Sequence, residues 1–260
     1  MTRGLWTRET VATLTLASLL PLAVFWIWLG GGQALSRWAF TLLVIAIWHL
    51  VFMLVRAQPP SLSALVTALA IAMLSPEELG LFQLTLGITF GVVMGELVFG
   101  GWGRNVVSPA TVTLAFFGFG FPAAPWPVFD APLAWAAIPA GLLGMMIGVM
   151  PAALLIVAAS LGALAAGLGL VSNPVLYAAG IALVLLVADP VTSSSTLLGR
   201  CLQGALYAAL LLLFASAWSG AAPPQIAVAA ALLSSLAAPL FDDIALSLWV
   251  HRRRRRHGRT

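Results

Sequence analysis

Few groups in this chain can do chemistry, and they fall in two stretches. The first runs from Gly95 to Thr111, GELVFGGWGRNVVSPAT. It sets Glu96, Arg104 and Asn105 among Gly100, Gly101 and Gly103. A carboxylate, a guanidinium and an amide in so glycine-rich a backbone can hold a polar ligand at close approach. The second runs from Asp189 to Thr196, DPVTSSST, followed by Gly199-Arg200. One acid with Thr192, Ser193 and further hydroxyls can bind a cation, hold an anion through amides, or turn the chain.

Everything around these stretches is apolar. The 260 residues are 62% hydrophobic and 8% charged, with mean hydropathy +1.06. A soluble domain is about a quarter charged, so this is an integral membrane protein. At ~20 residues per helical span there is room for about ten crossings, and none of the alternation of a membrane β-barrel is present. The expectation is one all-α polytopic membrane domain over 1–260. Thr10–Gly30 reads as a first span, because no small-residue cleavage pattern follows it. The other spans are Trp38–Val55, Ser61–Leu74, Gly80–Phe99, Val106–Phe121, Leu133–Ile147, Pro151–Leu168, Asn173–Ala188, Cys201–Trp218 and Gln225–Leu240. Ser61–Leu74 is too short to cross, so it reads as a half-helix. Such segments survive only inside protein or beside a polar cavity, and they point to a functional centre.

Leu133–Leu168 could be one long helix or two broken near Gly148 and Pro151. Charge decides. With ten crossings and a cytoplasmic N-terminus, only Arg37 among the arginines falls outside, which fits the positive-inside rule. Both termini are then cytoplasmic, and both polar stretches face that side. The basic run Arg252–Arg256 anchors the last span near anionic lipid, with no role for nucleic acid. Trp102, Trp126, Trp135, Trp218 and Trp249 read as interfacial aromatics.

Within the first stretch, Glu96 is costly at membrane depth unless paired, and Arg104 is close enough in sequence to pair with it. The glycines allow positive φ. Ser108-Pro109 reads as an N-cap followed by proline at the first helical position, aiming helix amides at whatever the glycines leave room for. The spacing matches neither a dinucleotide fingerprint nor a phosphate loop. Asp189-Pro190 opens like a cap. His49, the sole histidine within a span, cannot supply two haem ligands and reads as a buried polar group. Asp242 and Asp243 are expected to pair with the arginine tail. One cysteine, Cys201, excludes a disulfide or a cysteine-ligated cluster within the chain. No catalytic triad and no metal-ligand set is visible.

Together, Ser63-Ala64-Leu65-Val66-Thr67, Phe99-Gly100-Gly101-x-Gly103-x-Asn105-x-x-Ser108-Pro109-Ala110 and Asp189-Pro190-Val191-Thr192-Ser193 resemble the NqrB/RnfD family. These are membrane subunits of sodium-pumping NADH:quinone oxidoreductase and of Rnf electron transport complexes. The family's stretches read roughly DGSALLTG, GGxGxNxFNPA and TDPVTSPxT. Ala238-Pro239-Leu240 with Asp242 and a basic tail is similar to its C-terminus. The resemblance runs in order from about residue 40 to 256.

It implies two inverted five-helix halves of urea-transporter type, here 1–121 and 122–250, with 251–260 a basic cytoplasmic tail. It implies a bacterial inner-membrane subunit, itself non-catalytic or electron-transferring, working with other complex subunits on flavin- or quinone-linked electron transfer coupled to ion movement. The site would comprise Glu96, Gly100, Gly101, Gly103, Arg104, Asn105, Ser108, Pro109, Asp189, Pro190, Thr192 and Ser193. The departures are specific. The family links FMN to a threonine after the fifth helix, whereas Pro122–Pro132 holds no serine or threonine. A flavin (FMN or riboflavin) or quinone would therefore bind here without a covalent link. Ser108 stands for an asparagine, Glu96 for a lysine, and Gly148-Val149-Met150 for a GET-like turn. A stand-alone channel or transporter on the same fold is the alternative.

Overall fold

The computed structural model describes residues 7–57 and 61–257, except the side chains at 252 and 254–257. Regular structure among the described residues is helical. The elements are α1 (Arg8–Arg56), α2 (Ser63–Leu74), α3 (Leu81–Val92), α4 (Pro109–Gly120), α5 (Ala131–Ile147), α6 (Ala152–Gly167), α7 (Asn173–Ala182), α8 (Leu197–Ala217), α9 (Pro223–Leu236) and α10 (Ala238–His257). A single π turn extends α3 (Val93–Leu97) and another extends α7 (Leu183–Val187). By length and hydropathy, α1, α8 and the α9–α10 run can each cross a membrane, and the remaining helices are shorter but apolar. The chain is a multi-pass membrane protein.

α1 is two arms joined at Gly31, whose φ of 55° and ψ of −137° are not helical. A straight helix of this length would run ~70 Å. Yet the Glu9 carboxylate accepts the Leu62 amide at 3.3 Å, and Leu62 lies only ~20 Å of extended chain past Arg56. Both ends of α1 therefore sit at one end of the bundle, and the chain doubles back at Gly31. The expected loop between Gly30 and Trp38 is helical instead. One left-handed glycine makes the reversal, and good helix formers such as Ala34 and Leu35 resume at once.

The Leu133–Leu168 stretch is two helices. Gly148 (φ 83°) ends α5, its amide donating to the Gly144 and Met145 carbonyls, and Pro151 precedes α6. This is the break that the charge argument required.

α2 has 12 residues and α7 has 10 before its π turn. At 1.5 Å per residue neither spans the ~30 Å hydrocarbon layer alone. Their surroundings explain how they persist. Every residue from Thr67 to Leu74 is buried, as is every residue from Ile181 to Ala188. α2 packs on α1 and α4, and α7 packs on α5 and α9. The half-helix expected at Ser61–Leu74 is thus a short helix jacketed by protein.

α3 and α4 pack through a glycine seam. Gly87, Gly91 and Gly95 recur every fourth residue on one face of α3 and its π turn. They meet Phe117, Thr113 and Pro109, spaced four apart in the opposite sense. A Cβ on Gly91 would lie 1.9 Å from Thr113 Oγ1 and 2.6 Å from its backbone nitrogen. Small residues let helix backbones approach when both solvents are apolar and only packing attracts. Gly91→Ala is therefore expected to destabilise the detergent-solubilised protein by ~1–3 kcal/mol or more, read as a fall in melting temperature. Gly162→Ala, where a Cβ meets nothing within 4 Å, should leave the melt unchanged or slightly raised.

Candidate functional site

The two polar stretches meet at the end of the bundle that holds Glu9 and Leu62. Each follows a π turn, and the widened turn ends a helix without a sharp break. After α3, the Gly101 amide donates to the Glu96 carbonyl (3.0 Å) and the Gly100 amide to that of Leu97 (3.2 Å). Gly100, Gly101 and Gly103 have φ of 104°, 86° and 96°, so the expected positive φ is present at all three. Asn105 staples the turn: its Oδ1 accepts the Gly103 amide (3.2 Å) and its Nδ2 donates to the Val107 carbonyl (3.3 Å).

Ser108 occupies the N-cap position of α4 with Pro109 next, as the sequence predicts, but its side chain makes no capping bond. The hydroxyl is buried at the wall of a small cavity. Proline at the first position leaves one fewer orphan amide to cap.

The Asp189 stretch is a built turn. The Asp189 carboxylate accepts the Val191 amide (3.3 Å) and the Thr192 hydroxyl (3.1 Å), and its carbonyl accepts the Ser193 amide (3.1 Å). Asp189 therefore caps its own turn and not a helix. The cap of α8 is Thr196, whose Oγ1 accepts the Gly199 amide at 3.0 Å. Gln203 Oε1 takes the Ser194 amide at 2.8 Å, and Arg200 Nε donates to the Ser194 carbonyl at 3.0 Å.

Asp242 on α10 completes the turn. Its Oδ2 accepts the Ser195 amide and hydroxyl (2.8 and 3.0 Å), and its Oδ1 accepts those of Thr196 (2.9 and 2.6 Å). The sequence leads one to expect Asp242 to pair with the arginine tail, and the arginine side chains at 252 and 254–256 lie outside the described residues; its carboxylate bridges two neighbouring residues at the start of α8. A tight turn cannot satisfy all of its own amides, so an acid from a distant helix takes those of Ser195 and Thr196. Among the described tail side chains, Arg253 lies over the Trp249 ring, 5.2 Å from its centroid.

Two spaces adjoin the turns. An inner cavity of about 30 Å³ is lined by Thr15, Ser63, Thr67, Ser108 and Asp189 together with apolar groups of α1, α2 and the α7 end. It has room for a water or a small cation among oxygen donors. The Ser63 hydroxyl is buried there without a hydrogen-bond partner. An outer cleft of about 680 Å³ is lined by Arg8, Gly103, Arg104, Pro190, Ser193 and Arg200 with the α5–α6 turn, Gly148 to Pro151. Trp102 lines both spaces and is the partition between them. It is 6% exposed, as is Trp126. Both are core residues here, not interfacial ones, while Trp135 and Trp249 are exposed.

Glu96 lies at the edge of this group, its carboxylate against the Trp102 backbone amide and within electrostatic reach of Arg8 and Asp189. Its Oε1 lies 3.6 Å from His49 Nε2 on the second arm of α1, both side chains buried. The expected Glu96–Arg104 pair is not formed; the Arg104 guanidinium lies against Gly100 instead. The π turn rotates Glu96 inward and the three left-handed glycines carry Arg104 out, so nearness in sequence misleads. Ser108, Pro109 and Asp189 line the inner cavity, and Pro190 and Ser193 line the outer cleft, while Asn105 and Thr192 brace their own turns. Trp102, Thr15, Arg8 and Gln203 belong to the site with no signal in the sequence, because their positions depend on how distant helices close. Among the described residues no three His, Cys, Asp or Glu side chains gather around a metal-sized space.

Residues 3–185 match the sequence model of the NQR2, RnfD, RnfE family. Several similar proteins carry the name of one subunit of Na(+)-translocating NADH-quinone reductase. That of Yersinia pestis is 40% identical over 95 residues, covering 36% of this chain and 23% of its own. That of Stutzerimonas stutzeri is 29% identical over 160 residues, 60% of this chain and 40% of its own. One from Haemophilus influenzae is 28% identical over 275 aligned positions, covering 82% of this chain and 66% of its own. The chain thus spans less than two thirds of the length of these relatives.

Removing the Asp242 bridge should loosen the second turn. Asp242→Ala is expected to lower stability by about 1–3 kcal/mol and to expose the 189–196 stretch to limited proteolysis. Asp243→Ala, at an exposed neighbour, should do neither. Equal effects from both would mean that the bridge does not hold the turn.

Proposed function

The chain belongs to the NQR2, RnfD, RnfE family, and from that premise we propose that it is a membrane subunit of an electron transport complex of this type. It sits in a bacterial inner membrane with both termini cytoplasmic and assists flavin- or quinone-linked electron transfer coupled to ion movement. The observation that carries this reading is the meeting of the two polar turns around a cleft and a cavity parted by Trp102. A cleft of about 680 Å³ is within the usual range for a cofactor site.

The inverted five-helix arrangement is part of the proposal. Setting the arms of α1 against α5 and α6, and α2, α3 and α4 against α7, α8 and α9, makes the packing pairs correspond. α2–α4 matches α7–α9, α3–α4 matches α8–α9, and α1–α3 matches α6–α8. α2 leads away from the site end and α7 leads toward it, which is the opposed sense that inversion requires.

A flavin fits as a non-covalent occupant. The chain between α4 and α5 carries no hydroxyl from Pro122 to Pro132, so a phosphoester link has no acceptor there. In the outer cleft, Trp102 offers an aromatic wall, and Gly103 lets a ring approach the backbone. A flavin or quinone there would supply one- or two-electron chemistry. The chain's own part is to position and shield. Asn105 and Asp189 hold the two turns in place. Trp102 keeps cleft water out of the inner cavity, where Thr15, Ser63, Thr67, Ser108 and Asp189 can hold a small cation. Partner subunits complete the path for electrons.

The alternative is a channel or transporter acting alone. The missing hydroxyl between Pro122 and Pro132 favours it over a flavin-carrying role.

Purification in mild detergent is expected to bring down flavoprotein or iron–sulfur partners. A lone chain that conducts a solute in liposomes would replace this reading with the channel. Denatured, washed protein should show no flavin fluorescence, and a fluorescent band would place a covalent site elsewhere in the chain. Within an active complex, Trp102→Ala should uncouple ion movement from electron flow, and Asp189→Asn should cut ion-dependent turnover roughly tenfold or more, as losing a charged ligand does. Unchanged coupling in both variants would remove the site from the mechanism.

A further inference from the structure

The outer cleft carries an unbalanced charge. Arg8, Arg104 and Arg200 line it and no acidic side chain does. The contrast with the opposite end of the bundle is direct. There a cleft of similar size holds Arg37 together with Glu77 and Asp130. Among the described residues none of the three site-end arginines forms an ion pair within 4.0 Å, and the one acid within electrostatic reach of Arg8, Glu96, lies outside the cleft lining. Arg200 spends its Nε on the Ser194 carbonyl, which fixes the side chain and leaves the guanidinium terminus for the cleft. Arg8 lies over the Trp102 ring, 6.0 Å from its centroid, and its Nε is buried without a partner.

Three guanidinium groups around one space repel each other, and an anion between them relieves the repulsion. Their planar forks suit phosphoryl oxygens. A second feature points the same way. The α5–α6 turn walls the cleft, and α6 starts there with 16 residues and no side-chain cap. The positive end of its dipole therefore lies just behind the cleft wall, which favours an anion there.

We propose that this cleft is a phosphoryl-binding site, taking the phosphate of a small phosphorylated ligand or of a phospholipid headgroup between Arg8, Arg104, Arg200 and the start of α6. Where that ligand is the flavin proposed for this chain, a form of the idea that rests on that reading, the cleft selects FMN over riboflavin. The phosphate is then held by charge in place of the missing covalent link. Trp102, already beneath Arg8, faces the ring.

The test uses the full chain in detergent, stripped of lipid. FMN and riboflavin are titrated by fluorescence quenching, with inorganic phosphate as competitor. Phosphatidylglycerol retained from nanodiscs is counted by native mass spectrometry. FMN is expected to bind roughly tenfold tighter than riboflavin or more, with the difference lost to phosphate and to added salt. Arg104 is exposed, so Arg104→Glu tests the charge without disturbing packing; Arg8→Gln with Arg104→Gln is the second variant. Both should erase the preference for FMN while the protein stays monodisperse.

If FMN and riboflavin bind equally but phosphatidylglycerol is retained by the wild type and lost from both variants, the phosphate belongs to lipid and the site stands. If neither flavin binds while the lipid difference persists, the flavin reading fails and the phosphoryl site survives. Equal flavin affinities together with no lipid difference overturn the proposal, and they leave flavin binding itself intact.

Discussion

Everything in this fold depends on satisfying backbone polar groups where no water can reach them. A helix that stops inside a bilayer strands up to four carbonyls, and the next helix strands up to four amides. Two helices end at the polar turns, α3 and α7, and the chain handles the two stops differently. After α3 it relies on three glycines at positive φ and on Asn105, which staples the turn from within. After α7 it relies on carboxylates and an amide: Asp189 from within the turn, Asp242 and Gln203 from other helices. The second solution ties the turn to α8 and α10, so the geometry of the Asp189 stretch is set by tertiary packing. The first is nearly self-contained.

That difference explains what can be read from the residues alone. The glycine turn is legible because its chemistry is local; positive φ, an amide staple and proline at a helix start all follow from residue type and spacing. The short length of α2 is legible for the same reason, since counting apolar residues against bilayer thickness needs no tertiary information. The break at Gly148 follows from charge asymmetry between loops. The role of Asp242 is not legible, because an acid beside five arginines predicts a salt bridge, and only the fold shows that it takes two amides and two hydroxyls of a distant turn. Glu96 misleads in a similar way. A π turn shifts the helical phase by part of a turn, and no residue type announces it, so a side chain expected to face Arg104 faces His49. Trp102 misleads because a tryptophan beside a polar loop usually marks an interface, whereas here the loop folds inward.

The glycine seam between α3 and α4 is present in the sequence as three glycines at four-residue spacing, hidden within an apolar run whose length is its more obvious property. It matters to the site. Gly95 sits against Pro109 across the seam, with 3.1 Å separating its would-be Cβ from the Pro109 Cα. The start of α4 is thereby pinned to the end of α3. The chain that joins Phe99 to Pro109 must then fold as a compact turn, and it can do so only through left-handed glycines. Close helix packing and the unusual backbone of the turn are one constraint met at two scales.

The arginines carry the last step. A cluster of arginines at one end of a membrane bundle is what the positive-inside rule produces, and such residues ordinarily extend their head groups to water and lipid phosphates at the rim. Arg56, stacked on Phe52 at 5.5 Å, and Arg253 on Trp249 fit that pattern. Arg8 and Arg200 do not. Both are half-buried, one held over a core tryptophan and the other bonded to a turn carbonyl. Orienting the chain in the membrane requires only that these charges stay on one side. It does not require that they converge on a cleft free of acids, beside an uncapped helix start. The topological role accounts for their sign, and a ligand of opposite sign accounts for where they point.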